Sequence, residues 1–487
     1  MTTAAQTRAA EYKMLIGGEL VPSSSGEWID SVNPATEEVI GYVPAGGKPD
    51  VDRAVESAAA AFPMWAALDP AQRAAYLRDL AAKLRSQKEA VVQLEVADTG
   101  NTIREMELDV DSGASALEYF AGLAMEVKGE TIPATTANLH FSIREPFGVV
   151  GRIVPFNHPV MFAAAKIAAP LAAGNSVVLK PSEQSPLSSL LFARMCREVL
   201  PPGVVNIVTG FGATAGDALV RHPDVKRLAF IGSVETGMAL ERAAGESGIK
   251  QLSLELGGKN PLIVFPDADL PRALQGAVRG MNFSWQGQSC GSTSRLFLHA
   301  SMYEDALAEL AAMVGRLRVG DPLQYSSDVG PINSKRQLEK DLRYIENARA
   351  EGARLLTGGK RPDGDEFARG YWLEPTVFAD VTPGMQLFRE EVFGPVLSVI
   401  RWEDTDEVIE MANAVDYGLT AAIWTRDIRT ALTTARRVQS GYVWINGSSA
   451  HYRGSSFGGK KNSGTGTEEG LDELLSYTEN KTIHVIL

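Results

Sequence analysis

The chain has 487 residues and a mass of 52.3 kDa, too long for one ordinary core, so two or three domains are expected. Its 45% hydrophobic and 22% charged composition is that of a globular protein, and large-scale disorder is excluded. A formal net charge of -13, with no Lys/Arg block beyond pairs such as Lys460-Lys461, argues against nucleic acid or an anionic membrane surface as the main partner.

The first residues, MTTAAQTRAAEYK, lack the apolar core of a signal peptide. The most apolar stretch, Ile153 to Leu179, is interrupted by Lys166, Pro170 and Gly174, so no membrane span is expected and a cytoplasmic enzyme is the default. After an extended start with turn signals at Gly17-Gly18 and Asn33-Pro34, residues from about 50 to 99 read as two helices. Ala, Leu, Arg and Glu dominate there, with apolar positions at helical spacing.

From Phe147 onward the pattern changes. Apolar runs (GVVGRIVPF, SVVLK, VVNIV, RLAFIG, LSLEL) alternate with helical stretches near 160–172, 187–200, after Gly212, and near 236–246. This is the sequence form of βαβ units and predicts a mainly parallel sheet covered on both faces. Ligands of such sheets lie beyond the carboxyl ends of the strands, where Asn157, Lys180, Ser233 and Glu255 fall. The alternation resumes with PLIVF, a helix near 270–283, the loop around Cys290, RLFLH, a helix from Met302, and then VLSVIRW, LTAAIWT and GYVWIN, predicting a second α/β domain. The terminal run 481–487 reads as a short apolar strand whose edge a partner covers.

Two cysteines, Cys196 and Cys290, cannot form a disulfide framework or a Cys-rich metal site, and no metal is expected. Cys196 lies in LLFARMCREVL at helical spacing with Leu191, Met195 and Val199, which marks a buried structural thiol. Cys290, in QGQSCG, lies among glycine and small polar residues, where a nucleophile is reachable.

The glycines 210, 212 and 216 miss the dinucleotide fingerprint by one residue, and glycines after a strand are often only a turn. A clearer signal is FIGSVETG, in which a strand ends in Gly232-Ser233 and opens a helix, presenting N–H groups and a hydroxyl to a phosphate. In LKPSEQSP, Lys180 and Glu183 follow another strand end. A carboxylate there accepts hydrogen bonds from ribose hydroxyls and repels a 2′-phosphate, although a solvated Lys/Glu pair in a turn would look the same.

The segments PFNHP (155–159), LKPSE (179–183), FIGSVETG (230–237), LELGGKNP (254–261), GQSCGS (287–292), EEVFGPV (390–396) and SFGGKKNSG (456–464) occur in this order. Together they make the chain resemble an NAD(P)-dependent aldehyde dehydrogenase of the non-acylating, hydrolytic type over nearly its full length. The resemblance implies an α/β fold: a Rossmann-like coenzyme domain (1–127 and 149–256), a catalytic domain (257–468) and a small β oligomerisation element (128–148 and 469–487). Alternation in NLHFSIRE agrees with a strand in the last of these.

By the same resemblance, Cys290 is the nucleophile, Asn157 with the Cys290 N–H holds the oxyanion, and Glu255 activates the water that hydrolyses a thioester. Coenzyme contacts are implied at Lys180, Glu183, Gly212, Gly232, Ser233, Glu391, Phe393 and Phe156. The coenzyme is expected to be NAD, with NADP possible. Family members that pass the acyl group to coenzyme A generally lack the glutamate, so hydrolysis to the acid is favoured over acylation, and over a non-catalytic structural role. A homodimer or homotetramer is implied.

Three departures stand out. Phe156 and His158 flank the asparagine where the family commonly has tryptophan and another aromatic, and Ala165 replaces a tunnel tryptophan, with Phe162 three residues earlier. Ser289 and Gly291 flank the cysteine, while His451, near Tyr452 and Arg453, approaches the tunnel position Phe457. A wide tunnel suited to a bulky, aromatic or functionalised aldehyde is expected. Thr467 stands where an arginine often precedes the glutamate matching Glu468.

Overall fold

The computed structural model describes residues 10–487; the leader-peptide expectation falls largely on residues 1–9, outside the described residues. Strands Val149–Ile153, Ser176–Lys180, Val205–Ile207, Val225–Ile231 and Gln251–Glu255 form the expected parallel sheet. Nearly every residue of these strands is buried, because helices cover both faces, which is why they read as continuous apolar runs.

Across the sheet the chain steps from 149–153 to 176–180 and 205–207, then returns to the other side of 149–153 with 225–231 and 251–255. This reversal leaves a crevice between the carboxyl ends of 149–153 and 225–231, where an open α/β sheet binds its ligand. Asn157 follows the first of these strands and Gly232-Ser233 the second.

The stretch after residue 50 holds three helices up to Thr99, rather than two, and a fourth beyond: Lys48–Ala66, Pro70–Ser86, Lys88–Thr99 and Ile103–Leu123. Pro70 at the first helical position and Gly100, at φ +79°, mark two boundaries in the usual way. The boundary at Gln87 has neither signal, so apolar periodicity runs through it.

The second sheet orders strands Arg354–Thr357, Thr376–Ala379, Val396–Trp402, Arg295–His299, Pro261–Val264, Thr420–Trp424 and Tyr442–Ile445, all parallel except the first. The third is small. Thr478–Ile486 pairs antiparallel along its full length with Asn138–Pro146, which also pairs with Thr131–Ile132. The terminal strand thus begins three residues before the expected Lys481, and Leu139, Ile143, Ile486 and Leu487 remain exposed.

Two segments depart from the expected division. Gly464–Thr465 pairs with Gln251–Glu255 and so extends the first sheet. Helix Leu471–Leu475 packs on the helices of the first unit, and Leu474 and Tyr477 belong to its core, because burying them there covers apolar surface that a free-standing hairpin could not. Cys196 is buried in that core, as expected, and burial pushes its thiol up into an inert range. Among the described residues no helix is long and apolar enough to cross a membrane.

Asn175 fastens the terminal segment to the first sheet. Its Nδ2 donates to the carbonyls of Pro170 (3.1 Å) and Tyr477 (3.0 Å), and its Oδ1 accepts from Gly148 N (3.1 Å), all away from water. With about 1 kcal/mol for each bond, Asn175→Ala is expected to lower unfolding stability by about 3 kcal/mol, measured as a shift in the urea midpoint at unchanged slope.

Candidate active site

The segment Glu255–Asn260 leaves the first sheet and enters the second, and most of the site is built on it. Glu255 closes strand Gln251–Glu255; its side chain is 4% exposed and neither carboxylate oxygen has a partner. A Cβ on Gly257 would lie 2.1 Å from Glu391 Oε2, and one on Gly258 2.7 Å from the Cys290 carbonyl oxygen. Two glycines in LELGGKNP are therefore the condition for bringing Glu391 and Cys290 against this linker. Gly258 N donates to Glu391 Oε1 (2.9 Å), and Asn260 Nδ2 donates to the carbonyls of Cys290 (2.7 Å) and Ser292 (2.9 Å).

Cys290 lies at the amino end of strand Arg295–His299, in a loop held by left-handed backbone at Asn282, Gln286 and Gly287. Such conformations at non-glycine residues persist only where the surroundings impose them. The Gln288 side chain does so here: its Nε2 donates to Gln286 Oε1 (2.9 Å) and its Oε1 accepts from Asn333 N (3.2 Å). Burial, with the facing carboxylates of Glu391 and Glu255, pushes the Cys290 thiol up to about 12, so the free site holds it protonated.

Asn157 comes to the same loop from the first sheet. Its Nδ2 donates to the Gln288 carbonyl (2.9 Å), two residues before the cysteine, which leaves its second N–H for another acceptor. The Asn157 loop is seated from beneath by residues that sequence reasoning missed: Asn101 Nδ2 donates to the Asn157 carbonyl (3.0 Å), and Glu95 Oε1 accepts from Val160 N (2.7 Å) and Ser188 Oγ (2.7 Å).

Behind Glu255 is a second missed group, a buried ion cluster. Glu468 accepts from Lys166 Nζ (2.6 Å) through Oε2 and from Arg152 Nη2 (2.9 Å) through Oε1. Burial alone would raise Glu468, but the two cations hold it below the usual carboxylate range. Glu255 goes the other way: burial first, then repulsion by Glu468, lifts it well above that range, with Lys166 opposing. Lys166 was visible in the sequence only as a break in an apolar run. A lone basic residue on a fully buried helix face was the available signal.

Of the residues expected at the coenzyme, Phe156, Lys180, Glu183, Gly232 and Ser233 stand at or just beyond the carboxyl ends of strands of the first sheet, whereas Glu391 and Phe393 come from the second unit. Lys180 Nζ pairs with Glu183 Oε2 (2.9 Å) at the end of strand Ser176–Lys180. Ser233 caps helix Val234–Ser247, its Oγ accepting from Thr236 N (3.3 Å), and Gly232 N donates to the Glu255 carbonyl. Phe393, at φ +61°, stands edge-on to Phe156 with ring centres 5.8 Å apart, beside Glu391. Gly212 opens an exposed π-turn, Gly212–Gly216, and a Cβ there would meet nothing; it is Gly210 that packs closely, against the Gly46 carbonyl.

Of the residues expected to line a substrate tunnel, His158 has its Nδ1 2.8 Å from Asp109 Oδ2, and its ring packs against Phe162 and Trp285. Ala165 is 5% exposed, next to Lys166. Ser289 and Gly291 flank the cysteine, the Gly291 carbonyl accepting from Thr420 Oγ1 (3.2 Å). His451 packs on Phe457, ring centres 4.7 Å apart, and contacts Glu469 at 3.1 Å; Arg453 Nη2 donates to Ser112 Oγ (2.9 Å). His451 and Arg453 are exposed yet anchored.

The sequence profile of the Aldehyde dehydrogenase family matches residues 20–483. The chain belongs to this family. It is 46% identical to aldehyde dehydrogenase tropH of Talaromyces stipitatus, over 94% of this chain and 90% of that protein. It is 42% identical to retinaldehyde dehydrogenase 3 of Mus musculus, over 98% and 93%. The solved NAD+ complex of an aldehyde dehydrogenase from Bacillus cereus superposes with a TM-score of 0.95 at 40% identity, covering 98% of this chain and 97% of that one. The described residues fit a nicotinamide dinucleotide of the kind that structure holds: a switch-point crevice with a helix N-terminus, a Lys/Glu pair and an aromatic pair around Glu391.

Two outcomes follow from the geometry. Gly258→Ala drives a Cβ into the Cys290 carbonyl, so turnover is expected to fall at least tenfold while the far-ultraviolet circular dichroism stays unchanged. With the coenzyme-free thiol near 12, alkylation of Cys290 by iodoacetamide is expected to rise about tenfold per pH unit from pH 7 to 9 without levelling; a plateau in that window would show a thiol of ordinary acidity.

Proposed function

We propose that this enzyme oxidises an aldehyde to its carboxylic acid with NAD as coenzyme, through a covalent intermediate on Cys290. The observation that supports it best is the convergence of Cys290, Asn157 and Glu255, from two sheets, around one linker. The Cys290 sulfur attacks the aldehyde carbon and its proton passes to base, giving a thiohemiacetal whose oxygen is held by the Cys290 N–H and the free Asn157 N–H. One such donor contributes roughly 3 to 4 kcal/mol of barrier lowering. Lys180, Glu183, Ser233, Glu391 and Phe393 would hold NAD, which would supply the two-electron acceptor for the hydride that this carbon loses as the thiohemiacetal becomes a thioester.

Glu255 then takes a proton from water as the water attacks the thioester, and the acid leaves with Cys290 restored. A carboxyl lifted by burial and by Glu468 suits a general base working near neutral pH better than an ordinary exposed one. The Glu183 carboxylate, at the ribose end of the crevice, favours NAD over NADP because it repels a 2′-phosphate.

For the substrate we infer a bulky, aromatic or functionalised aldehyde. The tunnel side carries Ala165 rather than a large side chain, with rings at His158, Phe162, Trp285 and His451. Similarity to retinaldehyde dehydrogenase 3, whose name denotes a large aldehyde, agrees with this. We further place the enzyme in the cytoplasm as a homo-oligomer, in which a second copy covers the exposed apolar residues Leu139, Ile143, Ile486 and Leu487.

In a screen of benzaldehyde-like, hydroxylated, carboxylated and short straight-chain aldehydes read by NADH absorbance, bulky substrates are expected to give the higher kcat/KM; a clear preference for acetaldehyde overturns the substrate reading. Cys290→Ala is expected to abolish NADH formation. Glu255→Gln is expected to retain a single NADH burst and lose steady turnover by 100-fold or more. A rate increase and thioester product on adding coenzyme A would instead show acyl transfer.

A further inference from the structure

Arg152 is a fully buried charge near the site, 0% exposed on strand Val149–Ile153 and five residues before Asn157. Its Nη2 donates to Glu468 Oε1 (2.9 Å) and its Nη1 to the Tyr477 hydroxyl (2.6 Å). Tyr477 is itself fixed: its carbonyl accepts from Asn175, and the Arg227 guanidinium stands 4.8 Å over its ring. The next residue begins the terminal strand Thr478–Ile486. Thr467, the residue before Glu468, carries no charge; the guanidinium on Glu468 comes from strand Val149–Ile153.

The charge balance shows what Arg152 does. The groups facing Glu255 are Lys166, Glu468, Glu469 and Glu473, with Cys290 on the open side. Glu469 contacts His451, and Glu473 accepts from Glu469 N (2.7 Å). Two buried cations, Arg152 and Lys166, contact Glu468 directly, while Arg227, His451 and Arg453 act on the surrounding carboxylates from further out. With Arg152 on one oxygen of Glu468 and Lys166 on the other, Lys166 retains charge that also faces Glu255. Without Arg152, the cluster loses one positive charge in a dry interior, where no solvent replaces it.

We propose that Arg152 is a positioning residue for thioester hydrolysis: it holds Glu468 against Lys166, fixes the charge that faces Glu255, and through Tyr477 ties that charge to the root of the C-terminal strand. The inference rests on the reading of Glu255 as the base. Removing a nearby cation disfavours a carboxylate, so the pH at which Glu255 becomes a competent base must rise.

p-Nitrophenyl acetate tests this without knowledge of the aldehyde. The Cys290 sulfur forms a bond to the acetyl carbon as the C–O bond breaks and nitrophenolate leaves; water then hydrolyses the thioester to acetate. The burst of nitrophenolate reads acylation, and the steady rate reads hydrolysis. For Arg152→Gln the burst is expected to persist, while the acid limb of the steady rate moves up by about one pH unit, giving roughly tenfold slower hydrolysis below it and recovery above it. Arg152→Lys, which keeps the charge, is expected to restore most of the shift.

If the buried glutamine variant does not accumulate folded, Tyr477→Phe, which removes only the hydroxyl anchor, is expected to move the limb the same way by a smaller amount. A limb that stays in place in every folded variant overturns the proposal. Glu255→Gln separates the two readings: if it leaves the limb of the native enzyme intact, Glu255 is not the base and the failure lies there; if it removes the limb while the Arg152 and Tyr477 variants leave it unmoved, only the role of Arg152 fails.

Discussion

The close approach at Gly257-Gly258 is the constraint on which the site depends. Six residues, Glu255 to Asn260, connect two sheets, and within them the backbone meets the Glu391 carboxylate on one side and the Cys290 carbonyl on the other. No side chain fits at either glycine. Base, nucleophile loop and the carboxylate of EEVFGPV therefore share one stretch of backbone, and their relative positions are set by covalent geometry as much as by packing.

The electrostatics follow from that compactness. Three carboxyl-bearing or thiol groups, Glu255, Glu391 and Cys290, are crowded where water is scarce, and each is pushed toward its neutral form. Lys259, buried nearby without a partner, is itself pushed down to about 7 by burial and by Arg295, so it adds little fixed positive charge. The one firmly ionised assembly is Glu468 with Lys166 and Arg152, just behind the base. A site at rest with protonated groups in front and a fixed ion cluster behind is poised to ionise when its ligands enter, rather than held ionised in their absence.

Much of this was legible in the chain. The alternation of apolar runs after Phe147 gave the parallel sheets, since strands buried on both faces must be apolar throughout, and the motifs around Asn157, Lys180, Ser233, Glu255 and Cys290 stand at strand ends because ligand-binding loops begin there. The failures are equally physical. Gln87 joins two helices without glycine or proline, so periodicity ran through the break. Gly464–Thr465 and helix Leu471–Leu475 return to the first unit late in the chain, which no local pattern reports.

Sequence by itself determined which groups could do chemistry: one thiol outside a helical core, one glutamate closing a strand, and a family resemblance assigning their roles. Only the tertiary structure decided what surrounds them. Arg152, Lys166, Glu468 and Tyr477 lie up to 325 residues apart and meet in the interior because a buried ion must find its partner wherever the fold brings one. That need for compensation acts across space and leaves no spacing to read, whereas the periodicity of strands and the shape of a turn are written locally, residue by residue.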